Sequence, residues 1–494
     1  MTRGSKDYLE DMLDMSEFPI NDSQSEIPQF FTGCNVLITG GSGFLGQLLI
    51  EKLLRQYNII NIYIIKCKKF LPCHQNFLSF VYVSTAFSHC VNNFIEERYY
   101  PTPMETDKIL TLVDIMDDEK LDKFMPILID DWPNSYAYTK AIAEDTIRQY
   151  SIGIPVCIVR PSIIISTADE PVSGWINNIY GAVGVVVGSA IGLLRTLHCD
   201  PNKVADIVPA DYVISHLIVA GWDTAKRRNT LLSIENANPD IPETERVPIY
   251  NYVSICQNPI TWKKFMKLNE LYGMQVPSTH VLWYYMFFLN KYKFMHDMYV
   301  IILHMIPAVI VDTMLFLIGR KPMLLKAYKK INHFSSIIAY FSSQEWRFSN
   351  DAVVKLWNRV TPADRQIFNF NMNNLEWELY LKNMIPGLRL YLIKDPMETL
   401  EKGREKYRRR KYSNSDTHIR GQRPFIGSFF FLFIIRFSSL RSMLHLHRPY
   451  KNIIHTVSAD RDVRYSRFQR KDQESDPFPH NMFPKNTLIP IDIS

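Results

Sequence analysis

The sequence predicts an α/β fold built on a parallel, doubly wound sheet. A glycine-rich turn at residues 40–46 directly joins a short apolar run to an amphipathic stretch. A second apolar run follows that stretch, which gives the order strand, turn, helix, strand. With 494 residues, of which 47% are hydrophobic, the chain is long enough for two or three domains with large cores.

The elements follow from hydrophobic periodicity after a polar leader at residues 1–32. Uninterrupted apolar runs predict strands buried on both faces, and apolar residues spaced three and four apart predict helices. The predicted strands are residues 36–39, 59–65, 80–85 and 156–159, and the predicted helices are residues 48–57 and 139–150.

The glycine-rich turn predicts a dinucleotide-binding site. Gly40 permits the tight turn, Gly43 lets the backbone approach a pyrophosphate, and Gly46 lets the helix pack closely. The N–H groups and the dipole of the following helix face the phosphates. We therefore expect the cofactor to contact the turn and its flanks, which are Thr39, Gly40, Gly43, Phe44, Leu45 and Gly46.

The residues after the second strand favour NADPH over NADH. An acidic residue there accepts hydrogen bonds from the ribose 2′-hydroxyl of NAD, but Ile65 is followed by Lys66, Lys68 and Lys69. We expect Lys66 and Lys68 to bind the 2′-phosphate. The alternative is that these lysines form a solvated loop.

A Tyr-x-x-x-Lys pair predicts proton transfer beside the cofactor. On a helix, Tyr136 and Lys140 lie one turn apart on one face, where the ammonium is expected to lower the pKa of the phenol. Tyr138 lies off that face. Upstream, Ser84 and Thr85 end a strand and offer hydroxyls to a carbonyl oxygen; downstream, Arg160 and Pro161 end the next strand.

In this order, the features resemble an extended short-chain dehydrogenase/reductase and, among these, an insect-type fatty acyl-CoA reductase. The resemblance rests on ten segments: residues 39–46, 82–87, 133–141, 159–162, 174–181, 206–211, 258–262, 319–322, 346–348 and 387–395. It implies a Rossmann-type NADP-binding domain at residues 33–257 and a mostly helical C-terminal domain at residues 258–410. A divergent, partly disordered tail is expected at residues 411–494.

The resemblance implies NADPH-dependent reduction of a long-chain fatty acyl-CoA to a primary alcohol, through an aldehyde and with release of CoA. Ser84 or Thr85 would hydrogen-bond the developing oxyanion together with Tyr136, which would also supply the proton. Lys140 would tune Tyr136 and hold the nicotinamide ribose. Arg160 and Pro161 are expected at the cofactor site.

The sequence departs from the family's pattern after Lys69. Only residues 66–80 separate the second strand from the next recognisable one, and two βα units do not fit into that interval. We expect the sheet to lack two strands, leaving two buried edges unpaired beside the first strand. This predicts either an impaired product or a sequence from which an internal segment is missing.

Two apolar segments predict membrane contact. Residues 298–319 are about as long as a membrane span, but Pro307 and Asp312 interrupt them, so a buried or interfacial hairpin is the alternative. A basic stretch, residues 401–423, precedes the apolar residues 425–435, which suits an anionic membrane surface or, alternatively, a solvated basic face. The expected location is an endoplasmic reticulum or peroxisomal membrane, with the catalytic domain in the cytosol.

Composition argues against other classes of protein. A net charge of +6 without a basic, aromatic-interleaved stripe favours no nucleic-acid partner, and seven cysteines without a CxxC motif favour reduced thiols and no metal. Two alternative functions remain. One is a non-catalytic acyl-lipid-binding or scaffold relative, and the other is a reductase acting on sterols or flavonoids.

Overall fold

The computed structural model describes residues 25–56, 61–65, 77–151, 153–227, 247–419 and 488–493. The expectations for Lys66, Lys68, Lys69 and residues 425–435 therefore lie outside the described residues.

A parallel sheet forms the centre of the molecule. Its strands run in the order β2–β1–β12–β3–β5–β9, and each neighbouring pair is parallel. Three two-stranded pairs, β4 with β11, β6 with β8 and β7 with β10, lie outside it. The strands are β1 (Asn35–Thr39), β2 (Asn61–Ile65), β3 (Phe80–Val83), β4 (Phe94–Ile95), β5 (Val156–Pro161), β6 (Ile163–Ile165), β7 (Thr196–His198), β8 (Ile207–Pro209), β9 (Ile249–Tyr252), β10 (Phe288–Asn290), β11 (Arg347–Phe348) and β12 (Leu488–Asp492).

Helices cover the sheet and make up most of the second half of the chain. They are α1 (Glu26–Phe31), α2 (Phe44–Gln56), α3 (Thr106–Ile115), α4 (Asp118–Leu128), α5 (Ser135–Tyr150), α6 (Ala182–Ala190), α7 (Ala210–Lys226), α8 (Trp262–Gly273), α9 (Lys293–Val300), α10 (Ile306–Leu317), α11 (Leu324–Ser343), α12 (Asp351–Arg359), α13 (Pro362–Ile367), α14 (Trp377–Gly387) and α15 (Leu400–Ile419).

The predicted α/β class is confirmed. The strand, glycine turn, helix and strand at the start of the fold are β1, α2 and β2, and the later apolar runs form β3 and β5. The predicted helix at residues 139–150 starts earlier, at Ser135, because the side chain of Asn134 accepts a hydrogen bond from the N–H of Ala137 and caps it. Tyr136 consequently lies in the first helical turn.

The expected gap beside the first strand is filled, so the expectation of unpaired edges is wrong. Strand β12, from the far end of the chain, lies between β1 and β3 and pairs with both. Residues Asn35–Thr39 pair along their full length with Leu488–Asp492. Ile489 and Ile491 of this strand are buried in the main core. The partly disordered tail expected at residues 411–494 stays a prediction.

The first and second halves of the chain share one continuous core. The main cluster of buried apolar residues draws on β1, β3 and β12 as well as on α12 and α14. The backbones of Gly174 and Gly387 lie in direct contact: a methyl group on Gly387 would lie 2.0 Å from the Gly174 carbonyl oxygen. Gly174 has a φ of +76°. Only glycines allow this approach of two chain segments.

The apolar stretch of the second half folds as a helical hairpin. Helix α9 continues through a π-helical turn (Ile301–Met305) into α10, which packs against α11. Asp312, expected to interrupt a span, is buried, and its carboxylate accepts hydrogen bonds from the N–H groups of Met323, Leu324 and Leu325. The carboxylate therefore caps the N-terminus of α11.

A buried ion pair joins helix α5 to the sheet. The Arg160 guanidinium, at the end of β5, donates to Glu144 of α5 through Nε at 2.9 Å and Nη2 at 2.5 Å. Its remaining donors reach the carbonyl oxygens of Glu96 and Arg98. Burial by itself raises the pKa of Glu144, but Arg160 and His89 outweigh it and hold that pKa well below its usual range.

We predict that Gly387→Ala lowers the free energy of unfolding by about 1–3 kcal/mol, because the new methyl group overpacks the contact with Gly174. Gly273→Ala is the matched control, since Gly273 also ends a helix and a methyl group there meets nothing within 4 Å. Denaturant unfolding of both variants measures the difference. Equal stability of the two would contradict the close approach.

We predict that Glu144→Gln lowers the free energy of unfolding at pH 7 by about 3–5 kcal/mol, because the buried charge of Arg160 loses its partner. The folded-state pKa of Glu144 is depressed, so its contribution is present above the unfolded value of about 4.3 and is lost as the pH falls below it.

In melting curves between pH 3 and 7, the Tm difference between wild type and Glu144→Gln should therefore become smaller at acid pH. The control is Glu119→Gln, whose parent side chain is exposed on α4. A Tm difference that stays constant over this pH range would show that Glu144 and Arg160 do not form a charged pair.

Candidate active site

The carboxyl ends of three neighbouring strands form one edge of the sheet. Strand β1 ends at Thr39, β12 at Asp492 and β3 at Val83, and Thr39 and Asp492 are register partners. The glycine-rich turn follows β1 at this edge, and helix α5 brings Lys140 to the Val83 carbonyl oxygen there. In parallel sheets, ligands bind outside this edge.

The glycine-rich turn is closed by its own backbone. The N–H of Gly43 donates to the carbonyl oxygen of Gly40 at 2.8 Å, and Gly40 has a φ of +65°. A methyl group on Gly46 would lie 2.4 Å from that same carbonyl oxygen. Glycine is required at position 46 because the helix starts directly against the turn.

The residues present fit a dinucleotide. Ser42 and Gly43 are exposed, so the first turn of α2 meets solvent at the edge of the sheet. Phe44 and Leu45 are half-buried, and the Phe44 ring stacks on Trp175 with centroids 5.5 Å apart. An exposed glycine backbone at a helix N-terminus is suited to phosphate groups. Thr39 is buried and donates its hydroxyl hydrogen bond to Asp492.

The structure brings together Tyr136, Thr85 and Lys140. Tyr136 and Thr85 interact, since the Thr85 side chain lowers the pKa of the Tyr136 phenol in part, and the residue Tyr136 as a whole is 58% exposed. Lys140, one turn further along α5, donates from Nζ to the Val83 carbonyl oxygen at 3.0 Å and lies 5.3 Å above the Tyr82 ring. Tyr138 is buried on the opposite side of the helix, as its spacing predicts.

The pKa of Tyr136 differs from the sequence expectation. Burial raises it above the ordinary value and the hydrogen bond with Thr85 only partly reverses this, whereas the sequence predicted a lowering by Lys140. Burial also lowers the pKa of Lys140, and Asp492 and Glu144 raise it in part. The Lys140 ammonium donates to a strand-end carbonyl oxygen, that of Val83.

Ser84, Arg160 and Pro161 serve the scaffold in this structure. The Ser84 hydroxyl donates to Glu144. The Thr85 hydroxyl donates to the Pro161 carbonyl oxygen at 3.5 Å, accepts from the N–H of Phe87 at 3.3 Å, and interacts with Tyr136. The Arg160 guanidinium is completely buried against Glu144 and main-chain carbonyls, which leaves it no surface toward a cofactor. The carbonyl oxygen of Pro161 accepts a hydrogen bond from the N–H of Ala86 at 2.9 Å. These contacts make Arg160 and Pro161 part of the buried scaffold.

Sequence reasoning missed two carboxylates. Glu144 accepts hydrogen bonds from Ser84 and Ser88 as well as from Arg160. Its position one turn beyond Lys140 on the same helical face was a usable signal. Asp492 had no such local signal, because it reaches the site only through strand pairing. Among the described residues, no group of three or more His, Cys, Asp or Glu side chains could hold a metal ion.

Two family models match the chain, and both are described as male sterility protein. The NAD-binding model matches residues 38–70 and 70–217, in two pieces that meet at residue 70, and the second model matches residues 303–395. The absence of an internal segment after Lys69 stays a prediction. The first match supports a nicotinamide cofactor as the ligand of the crevice.

Among solved structures, the terminal R domain from the myxalamid PKS-NRPS biosynthetic pathway is similar at 13% identity, with a TM-score of 0.41. The likeness covers 79% of this chain and 99% of that one.

Curated relatives are fatty acyl-CoA reductases. The chain is 35% identical over 336 residues to fatty acyl-CoA reductase wat of Drosophila melanogaster, which covers 68% of the chain and 62% of the relative. It is 32% identical to fatty acyl-CoA reductase 2 of Homo sapiens, over 67% of the chain and 61% of the relative. Fatty acyl-CoA reductase 1 of Xenopus laevis is 26% identical, with 88% of its length covered. The chain thus spans about three fifths of the first two relatives, and it belongs to the fatty acyl-CoA reductase family.

Proposed function

We propose that the protein reduces long-chain fatty acyl-CoA to a primary alcohol, with NADPH as the reductant and with release of CoA. The observation that carries the proposal is the meeting of Tyr136, Thr85 and Lys140 at the sheet edge from which the glycine-rich turn departs. The curated relatives, named fatty acyl-CoA reductases, support the substrate class.

The site residues suit a thioester carbonyl. NADPH supplies a hydride when bound. The carbonyl oxygen gains negative charge, and hydrogen bonds from Thr85 and Tyr136 stabilise it as the charge develops. Loss of CoA as its thiol from the resulting hemithioacetal leaves an aldehyde, and a second reduction gives the alcohol. Each alcohol formed therefore consumes two NADPH and two protons.

Tyr136 is the proton donor in this scheme. Its raised pKa keeps the phenol protonated at neutral pH, as a general acid requires. Lys140 holds the edge of the site through the Val83 carbonyl and is positioned to contact the nicotinamide ribose. Glu144 acts through the scaffold: its carboxylate is paired with Arg160 and accepts the hydrogen bond of the Ser84 hydroxyl, so we assign the substrate contact to the Thr85 hydroxyl.

NADPH rather than NADH is supported by charge. No acidic residue directly follows Ile65, and Lys66 and Lys68 offer charges suited to a 2′-phosphate. Both lysines lie outside the described residues, so this choice rests on the sequence.

We also propose that the helical hairpin binds a membrane surface and that the acyl substrate enters from there. The segment Lys293–Leu317 is apolar and long enough to cross a membrane, and only 28% of its most apolar 18-residue stretch is buried. Its exposed apolar side chains are Phe294, Met295, Met298, Ile301, Ile302, Ile306, Val309, Phe316 and Leu317. A continuous exposed apolar face on one helix is suited to lipid. An endoplasmic reticulum or peroxisomal membrane stays a prediction.

We predict that Tyr136→Phe lowers alcohol formation by about 100-fold or more, because the general acid is lost. Thr85→Val should lower kcat by about 100-fold or more, since it removes an oxyanion donor without changing side-chain shape. The measurement is NADPH-dependent conversion of a panel of long-chain acyl-CoAs by membranes that contain the protein.

Ser84→Ala is the matched control for Thr85→Val. The Ser84 hydroxyl is bound to Glu144. Its removal should therefore lower the Tm while leaving kcat much less affected than Thr85→Val does. A larger loss of kcat in Ser84→Ala than in Thr85→Val would mean that Ser84, and not Thr85, is the oxyanion donor. Absence of alcohol from the wild-type chain under all conditions would favour a non-catalytic acyl-lipid-binding relative.

We predict that Leu317→Ser weakens binding to phosphatidylcholine/phosphatidylserine vesicles by about tenfold or more, because an exposed leucine loses about 1.5–3 kcal/mol of burial in lipid. Leu317 is 75% exposed on the hairpin. Ile115→Ser is the control, since Ile115 is 73% exposed at the end of α3, outside the hairpin. Vesicle flotation measures the binding of both variants. Equal binding would show that this face of the hairpin is not the membrane-binding surface.

A further inference from the structure

We propose that strand β12 is a working part of the cofactor site, completing the sheet at its centre, and that Asp492 is a positioning residue for Thr39 and Lys140. This inference rests on the proposed function for the identity of the cofactor. It goes beyond that function in assigning a role to residues from the far end of the chain.

The strand pairing carries the first step. Strand β12 pairs with β1 from Leu488 to Asp492 and with β3 through Ile491 and Asp492. The side chains of Ile489 and Ile491 are 0% and 1% exposed, so they belong to the core. Without β12, the facing edges of β1 and β3 would bury backbone N–H and C=O groups that have no partner.

Pro490 is placed where a central strand tolerates it. Proline has no N–H to donate to a ladder and is usually confined to strand edges. In this sheet, pairing between β12 and β3 begins only after Pro490, at Ile491. Pro490, which has no N–H to donate, therefore lies directly before the first residue of β12 that pairs with β3.

Register brings Asp492 to the glycine-rich turn. Asp492 is the partner of Thr39 on one side and of Tyr82 on the other. Its carboxylate accepts a hydrogen bond from the Thr39 hydroxyl, directly before Gly40. The orientation of Thr39, at the point where the turn leaves the sheet, is thus set by a residue more than 450 positions away in sequence.

The same carboxylate acts on Lys140. Asp492 raises the pKa of Lys140 against the effect of burial, and Glu144 acts in the same direction from the lysine's own helix. The Tyr82 ring of β3 lies beneath the ammonium, which donates to the Val83 carbonyl. Two elements, α5 and β12, therefore contribute the carboxylates that partly offset the effect of burial on the pKa of Lys140.

The test of the carboxylate is Asp492→Asn in the full chain, with Asp114→Asn on the exposed surface of α3 as the control. The pH dependence of Lys140 modification by an amine-reactive reagent, mapped by mass spectrometry, reports the pKa of this lysine without any need for activity. We expect Asp492→Asn to shift Lys140 labelling to lower pH and to weaken NADPH binding severalfold, with the control unchanged.

Unchanged Lys140 labelling in Asp492→Asn would overturn the role of the carboxylate. If the wild-type chain binds no NADPH, the proposed function fails, but the labelling experiment still decides whether Asp492 acts on Lys140. The two failures are therefore distinguishable.

The test of the strand is Ile491→Asp, which places a charge in the core while leaving the chain at full length. We expect a lowered Tm and loss of NADPH binding. Ile493→Asp is the matched control, since Ile493 lies beyond β12 and is only half-buried. Equal Tm values for the two variants would show that β12 is not part of the folded sheet.

Discussion

The architecture of the site depends on the buried ion pair between Glu144 and Arg160. A carboxylate and a guanidinium removed from water are tolerated only when their remaining hydrogen-bonding capacity is satisfied. Here Glu144 also accepts from Ser84 and Ser88, and Arg160 also donates to two main-chain carbonyls. One network thus connects the ends of β3 and β5 with helix α5, and it fixes the helix that carries Tyr136 and Lys140.

This network explains why two adjacent hydroxyls have different roles. The Ser84 hydroxyl donates to the carboxylate of the ion pair, whereas the Thr85 hydroxyl bonds the main chain at Pro161 and Phe87 and lowers the pKa of Tyr136 in part. The division follows from the alternation of side chains along an extended chain. A scaffold contact and a proposed catalytic contact can therefore sit side by side.

The second constraint is continuity of the parallel sheet across its centre. Among the described residues, β12 from the far end of the chain occupies the position beside β1, between β1 and β3. A parallel sheet buried on both faces tolerates no open interior edge, because the unpaired amides have no water to bind. Strand β12 also brings the Asp492 carboxylate to the carboxyl edge, where it raises the pKa of Lys140 against the lowering by burial.

The sequence by itself determined the α/β class, the glycine-rich turn between β1 and α2, and the shared face of Tyr136 and Lys140. These features depend on local periodicity and on spacing within one helix or one turn, so residue order alone specifies them. Tertiary structure alone decided that β12 completes the sheet, that Arg160 faces Glu144 instead of a cofactor, and that Asp492 reaches Lys140. Each of these depends on contacts between residues far apart in the chain, for which the local sequence carries no signal. Strand β12 contains Pro490, a residue type that disfavours a central strand, and pairing with β1 and β3 nevertheless places it there.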